Sequence, residues 1–429
     1  MNNETVIGKA ANFNIAFRNL TVSSHSGAVL LKDFCDRLGV EEILDSEVEV
    51  KQRDRGFSDS EALMGMVFNL ILGGDCLSDL NVVRGDEGTL KLLGVTSLIA
   101  PSTAGEHLRK FSIGKKCDLL RALFMIAQKV RPLQKGDTCT IDMDSSIYQQ
   151  CSKRKEGSRK AYNGEVGYHP LFAFWAEEGE LLSTHLMSGN RHPSSKAVWF
   201  LKQVLGRVPV GKKLYLRADS AFYSWDFITE LESQRVTYAI TADFSKQLKK
   251  QVEAIEEKSW RRFGNDAEVA DLRYAPERRS LHRYVVKRVK VEDKQGNISY
   301  RYHAVITNDE KKSASKLMKW ALQRCNMENE IKEHKSGFGL EKMPTQKFLA
   351  NQVWLLIGQL AFNLVAWMKK YVLPEQYKKA RIKTIRHHIL NLAGRIVESG
   401  RKFFLVLSDH YRYKEVWRYA LKQLAKLAT

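Results

Sequence analysis

The chain has 429 residues, 44% of them apolar and 28% charged, which leaves room for roughly two to four domains with a substantial hydrophobic core. That composition excludes global disorder, and 27 glycines and 8 prolines exclude a collagen-like or low-complexity chain. Sixty-nine Lys and Arg against 49 Asp and Glu leave a net charge of +20, a balance that favours a polyanionic partner, nucleic acid first.

The six cysteines (Cys35, Cys76, Cys117, Cys139, Cys151 and Cys325) show neither C-x-x-C nor zinc-finger spacing. They read as reduced thiols of a cytoplasmic protein, and Met1 to Phe13 lacks the apolar core of a signal peptide. Val353 to Met368 is apolar except for Gly358, Gln359 and Asn363. It is shorter than the roughly 20 residues of a spanning helix and is flanked by Lys347, Lys369 and Lys370. It therefore predicts a buried core helix, and no membrane partner is expected.

Residues 1–135 read as mostly helical. Leu30 to Leu38 has helical spacing, and Ser58-Asp-Ser-Glu61 is a capping box before Ala62 to Leu72. Thr103-Ala-Gly-Glu106 repeats that signal, and Cys117 to Val130 is a further helix. Short helices separated by basic residues fit a DNA-end-binding domain, with a helical packing domain as the alternative.

The pattern changes near Gly136. Thr138 to Asp144 reads as a strand with Thr138, Thr140, Asp142 and Asp144 on one face. Leu171–Ala176 and Leu182–Leu186 are strands, Ser194–Val208 a helix, and Lys213 to Asp219 a strand ending in an acid. Phe227–Gln234 is a helix and Thr237–Thr241 a short strand. The alternation predicts an α/β domain with a mixed sheet. Residues 242–300 break the rhythm with Lys246, Lys249, Lys250, Arg261, Arg262, Arg278 and Arg279. Arg283–Lys290 and Ile298–Ile306 flank a Lys294-Gln-Gly-Asn297 turn, a hairpin in a β-rich insertion. Residues 315–372 return to helix. Residues 369–429 carry 15 Lys and Arg against 4 Asp and Glu, with aromatic residues interleaved, and read as a basic helical surface that tracks phosphates.

No phosphate-binding G-x-x-x-x-G-K-[ST] loop, H-E-x-x-H or G-x-S-x-G is present, so ATP-driven work and the common zinc- and serine-hydrolase sites lack support. What remains is carboxylates in a basic chain. Asp142 and Asp144 share a strand face and Asp219 ends a second strand. Acids converging at strand ends can hold hard cations such as Mg²⁺ or Mn²⁺ against a phosphodiester. A turn or cap is the alternative for any one of them. On a helix, Arg324, Glu328, Ile331 and Lys335 share a face. Glu328 could reach a metal while Arg324 and Lys335 meet phosphates, with an i,i+4 ion pair as the alternative.

The order D…D…R-x₃-E-x₆-K resembles the DDE transposases of bacterial insertion sequences, in the branch with a Y-x₂-R-x₃-E-x₆-K signature. Arg324, Glu328 and Lys335 match its spacing, and Ala321 stands at the tyrosine position beside Trp320. Ile141 to Ser146, Gly167 to Leu171, Ser188 to Asn190 and Arg217 to Tyr223 resemble further blocks of the subgroup called DDE domain group 1. The resemblance spans residues 100–400. It implies a ribonuclease-H-like mixed-sheet core with a β-rich insertion, plus helical terminal regions. The expected divisions are 1–135 for end binding, 136–241 and 301–372 for the core, 242–300 for the insertion, and 373–429 for the basic helical region.

It further implies a triad of Asp144, Asp219 and Glu328 binding Mg²⁺, Mn²⁺ being possible. Asp142 would be a neighbour or the alternative first acid, and Glu330 and Glu333 lie on other helix faces. Arg324, Lys335 and Trp260 would contact DNA, Trp260 by stacking on a base or else lying in the core. His169 reads as structural. The implied activity is cut-and-paste transposition in a bacterial cytoplasm, at the nucleoid. Double-stranded terminal repeats and target DNA would be the substrates, with a homodimer on DNA. The alternatives are a relative that only binds DNA and a metal-dependent nuclease that does not join.

Overall fold

Thr138–Ser145 sets Cys139, Ile141 and Met143 against Thr140, Asp142 and Asp144, and all six are buried. A strand covered on both faces lies in the middle of a sheet. In this computed structural model, which describes residues 6–10, 13–16, 20–51, 56–152, 154–276, 279–292, 295–296 and 298–427, that strand (β1) lies inside a nine-stranded sheet, third from one edge. Leu171–Trp175 (β2) and Glu180–His185 (β3) extend it as an antiparallel meander. Lys213–Ala218 (β4) lies parallel to β1 on the other side, and Thr237–Thr241 (β5) lies parallel to β4. The order β3-β2-β1-β4-β5 is the ribonuclease-H-like arrangement that the resemblance implies.

The insertion supplies Arg261–Phe263 (β6), Ala267–Tyr274 (β7), His282–Glu292 (β8) and Ile298–Thr307 (β9). The hairpin strands pair as expected, although Lys294 and Asn297 of the turn, like Arg278, lie outside the described residues. The insertion is not a detached unit. β9 pairs antiparallel with β5, so its strands widen the same sheet.

Each sheet face acquires its own helices. The helical layer includes Asp59–Leu72 (α1) and Ile113–Val130 (α2). Ser194–Leu205 (α3) and Trp225–Ser233 (α4) are local crossovers that cover Cys139, Ile141, Met143, Leu216 and Ile240. On the opposite face, Ala314–Leu322 (α5) places Leu317 and Met318 against Ala239, Val285 and Val305. Asn326–Lys332 (α6) follows, and Phe348–Trp367 (α7) packs beside α1, α2 and β3. One apolar cluster runs from Ala28 through Phe172 and α7 to Leu424, so packing is continuous across residues 135 and 372.

The core reading of α7 holds. By length and composition Phe348–Val372 could cross a membrane, but its most apolar window is 83% buried. Its exceptional residues have tasks. Gln359 Nε2 donates to the Leu181 carbonyl at 3.0 Å, and Asn363 both accepts from the Leu181 N–H at 2.8 Å and donates to its carbonyl at 3.0 Å. These side chains satisfy backbone on β3, the sheet's edge strand. A Cβ on Gly358 would lie 2.3 Å from Leu340.

Several expectations change. Ser58 does cap α1, its Oγ accepting from the Glu61 N–H at 3.1 Å. Thr103 caps nothing, because that helix (Pro101–Lys110) starts with Pro101 in its first turn. The N-terminal region also holds strands Val6–Ala10, Phe13–Ala16 and Val22–Ser23. The C-terminal region is not all helix: Gly394–Ser399 and Lys402–Val406 form a hairpin that pairs with Val22–Ser23. That pairing spans the whole chain and leaves no local helical period.

Candidate active site

Strand register builds the site. β1 and β4 run parallel with Asp142 opposite Arg217 and Met143 opposite Ala218. One residue further, Asp144 and Asp219 come level at the carboxyl ends of neighbouring parallel strands, where open α/β sheets place their ligands. The same register makes Asp142 and Arg217 lateral neighbours on one face. They form a bidentate pair, Nε to Oδ1 at 2.6 Å and Nη2 to Oδ2 at 2.7 Å, with both side chains 4% exposed. Arg217 also donates to the Trp320 carbonyl at 2.8 Å and lies over the Trp320 ring. Asp142 is thereby occupied in tying β1 and β4 to α5.

Asp144 is held differently. Its Oδ1 accepts the Ser145 N–H at 2.7 Å and its Oδ2 accepts from Arg324 at 2.6 Å. Burial pushes its carboxyl up to about 6, the Asp219 charge adds to the shift, and Arg324 opposes it. Burial also raises Asp219, with Arg324 opposing and Asp243 reinforcing. Asp219 Oδ1 accepts the Ala221 N–H at 3.1 Å, which fixes the turn after β4.

The third acid stands further out. The helical run after α5 tightens to a 3₁₀ turn at Gln323–Cys325, continues as α6, and widens to a π-turn at Glu333–Gly337. Arg324 lies in the first irregularity, Glu328 on α6 and Lys335 in the second. Glu328 is 62% exposed and meets Arg324 at 3.7 Å. One guanidinium therefore faces Asp144, Asp219 and Glu328, but the three carboxylates do not converge on one point. Among the described residues, the one set of metal-capable side chains within 4.8 Å of one another is Asp75, Cys76 and Asp79. That set lies in a turn after α1, where Asp79 accepts the Asp75 and Cys76 N–H groups and Asp75 pairs with Lys342.

Lys335 points inward, donating to the Ile147 carbonyl at 2.9 Å and lying 3.5 Å from Glu341. Beside it, buried His334 shares a 2.8 Å bond with the Tyr148 hydroxyl. Ile331 is buried rather than sharing the open face of Glu328. Glu333 accepts the Ile382 N–H at the start of the short helix Ile382–Ile385, and Glu330 lies by Lys369 and Arg381. Trp260 is 6% exposed and belongs to the apolar cluster that also holds Leu248, Val252 and Ala270, with Arg288 4.3 Å above its ring, so no base reaches it in this conformation. His169 is buried and structural, bonding Ser145 Oγ at 2.9 Å and the Arg191 carbonyl at 3.1 Å. Arg217 went unnoticed as a partner, though a signal existed: R-x-D on β4 and D-x-D on β1 have the same offset, so aligning the terminal acids aligns Asp142 with Arg217.

The profile of the family described as "Transposase DDE domain group 1" matches residues 6–429. The chain belongs to this transposase family. Its activity is therefore DNA transposition, with the DNA cleavage and strand transfer that the family carries out. No curated protein sequence matches the chain. Among solved structures, a piggyBac transposase synaptic complex with hairpin DNA is similar at 12% identity and a TM-score of 0.43, covering 87% of this chain and 80% of that one.

Proposed function

We propose that this transposase is the cut-and-paste enzyme of a bacterial insertion sequence, binding the terminal repeats of its element as a homodimer and moving that element to new DNA. The observation that carries the reading is the level placement of Asp144 and Asp219 at adjacent parallel strand ends around the Arg324 guanidinium. Asp144, Asp219 and Glu328 would hold Mg²⁺ or Mn²⁺. The donor set fits, being carboxylate oxygen throughout, and two buried acids side by side require a positive partner. When bound, the ion supplies charge stabilisation for the attacking and leaving oxygens of a phosphodiester.

The chain's own residues do the rest. Arg324 balances the acids in this conformation and offers a planar fork to a DNA phosphate. Lys335 and the π-turn hold α6 to the loop after Asp144, which sets how far Glu328 can approach. The basic surface draws the DNA backbone in and makes binding salt-dependent. Cleavage of the element end frees a 3′-hydroxyl, which then attacks target DNA in line, so positioning rather than a covalent enzyme intermediate drives the chemistry.

A duplex carrying the sequence that borders its own gene tests this, incubated with Mg²⁺, Ca²⁺ or EDTA. Mg²⁺-dependent nicking at the element boundary is expected, lost in Asp219→Ala while DNA binding persists. Binding without cutting would make the chain a DNA-binding relative, and cutting without joined products would make it a nuclease.

A further inference from the structure

Two sequence blocks, Gly167-Tyr-His-Pro and Ser188-Gly-Asn, supply none of the acids, yet their backbones are closely packed. Tyr148–Gln149, Val166–Tyr168 and Arg159–Lys160 form a three-stranded sheet directly after Asp144. Tyr168 bridges to Ser188, and Ser188 Oγ donates to the Gly157 carbonyl at 2.7 Å. A Cβ on Gly167 would sit 2.2 Å from the Tyr148 carbonyl oxygen, and one on Gly189 would sit 2.3 Å from those of Arg159 and Gly167. The backbones are therefore packed too closely for any residue but glycine. The sheet's outer loop is a short hairpin tip closed by Ala161 N–H to the Glu165 carbonyl at 2.7 Å, with Gly164 at φ +88°.

This rigid platform carries Tyr162 at its tip, 85% exposed. One side of the ring rests 5.9 Å from His169, centroid to centroid. His169 bonds Ser145 Oγ at 2.9 Å, and the Ser145 N–H holds Asp144 at 2.7 Å. The aromatic is thus connected to the first acid through two side chains. Arg159 and Lys160 on the same sheet, and Arg191, whose carbonyl bonds His169, are exposed and make no ion pair among the described residues. An apolar ring presented to water on a fixed mount, among uncompensated cations, has the two ingredients of a single-strand platform: a face for a base and charges for its phosphates.

We propose that Tyr162 stacks on an unpaired DNA base next to the scissile phosphate, and that the 157–168 platform guides that strand to Asp144. The proposal rests on the transposase reading above and adds a positioning residue to it. Because the tip is held by backbone bonds, little ordering entropy is lost when a base settles on it.

A protein-by-DNA cycle tests it. Wild type, Tyr162→Ala and Tyr162→Phe are compared on the element-end duplex and on a series of duplexes with a single abasic site stepped through the positions flanking the nick. Tyr162→Ala is expected to weaken binding and nicking about ten-fold without lowering Tm, and Tyr162→Phe to match wild type. At one position the abasic duplex should cost wild type the same factor and cost Tyr162→Ala nothing more. Tyr162→Ala behaving as wild type, or losing the same factor on every abasic duplex, overturns the stacking contact while leaving the transposase reading intact. Wild type that neither binds nor cuts the intact duplex overturns both.

Discussion

Asp142 and Asp144 are two residues apart on one strand, face the same way, and each meets an arginine. The inner pair, Asp142–Arg217, is bidentate with both partners 4% exposed. The outer pair, Asp144–Arg324, uses one carboxylate oxygen, and its arginine also faces Glu328. The inner arginine comes from the neighbouring strand and is buried with its partner. The outer one comes from a 3₁₀ turn between helices and can exchange one anion for another. The same two residue types therefore make a fastener at one position and a reactive centre at the next, according to which element supplies the cation.

Substitutions can break this contrast. The largest effect is expected at the open end. Asp144→Asn or Asp219→Asn removes a charge that organises several kcal/mol of transition-state stabilisation, so nicking should fall on the order of a thousand-fold or more. Thermal stability should hold or rise, because a buried like-charge contact is relieved. A large fall in melting temperature would place these acids with the inner pair.

Asp142→Asn should do the opposite. It leaves the buried Arg217 without a counter-charge, at a cost of about 3–5 kcal/mol, visible in chemical denaturation. Replacing both partners, Asp142→Leu with Arg217→Met, should recover much of that loss. No recovery would mean that Arg217 acts chiefly through the Trp320 carbonyl.

A third buried acid lies between these extremes. Asp59 at the start of α1 meets His107 Nε2 at 2.7 Å and the Val50 N–H at 2.7 Å. Burial would raise its carboxyl, but His107 and the Lys51 and Val50 N–H groups outweigh burial and hold it below the ordinary range. A group with a lowered folded pKa stabilises above its unfolded value, near 4, and loses that contribution as pH falls through the folded one. Asp59→Asn should cost about 1–3 kcal/mol at neutral pH, and the gap from wild type should close on acidification. A constant gap from pH 7 to 3 would show that shape rather than charge matters there. The smallest effect is expected at Lys347–Glu156, with side chains 61% and 50% exposed. Lys347→Ala should leave the melting temperature unchanged, because solvent screens so exposed a pair.

Much of the catalytic half was legible along the chain. β1, β2, β3, β4 and β5 were found from two-residue alternation and short apolar runs, and α7 from its largely apolar length, because burial imposes those patterns locally. The insertion hairpin was legible from its turn. The hairpin at Gly394–Val406 was not, since Gly394 pairs with Ser23, 371 residues away, and nothing local announces it. Trp260 shows a related limit: an aromatic residue in a basic segment reads as core or, less readily, as a DNA contact, and packing beneath Arg288 places it in the core.

The sequence by itself determined the charge that seeks DNA, the α/β alternation, and the acids available at strand ends, since each depends on residue type and on spacing within one element. Only the tertiary structure decided that Asp142 is bound by Arg217, that Asp219 stands level with Asp144, that Glu328 meets Arg324 from outside, and that Lys335 turns inward. Those outcomes depend on parallel register and on a 3₁₀ turn and a π-turn that rotate a helical run away from its ideal face. Such rotations are set by what the helix packs against, and a linear pattern does not contain them.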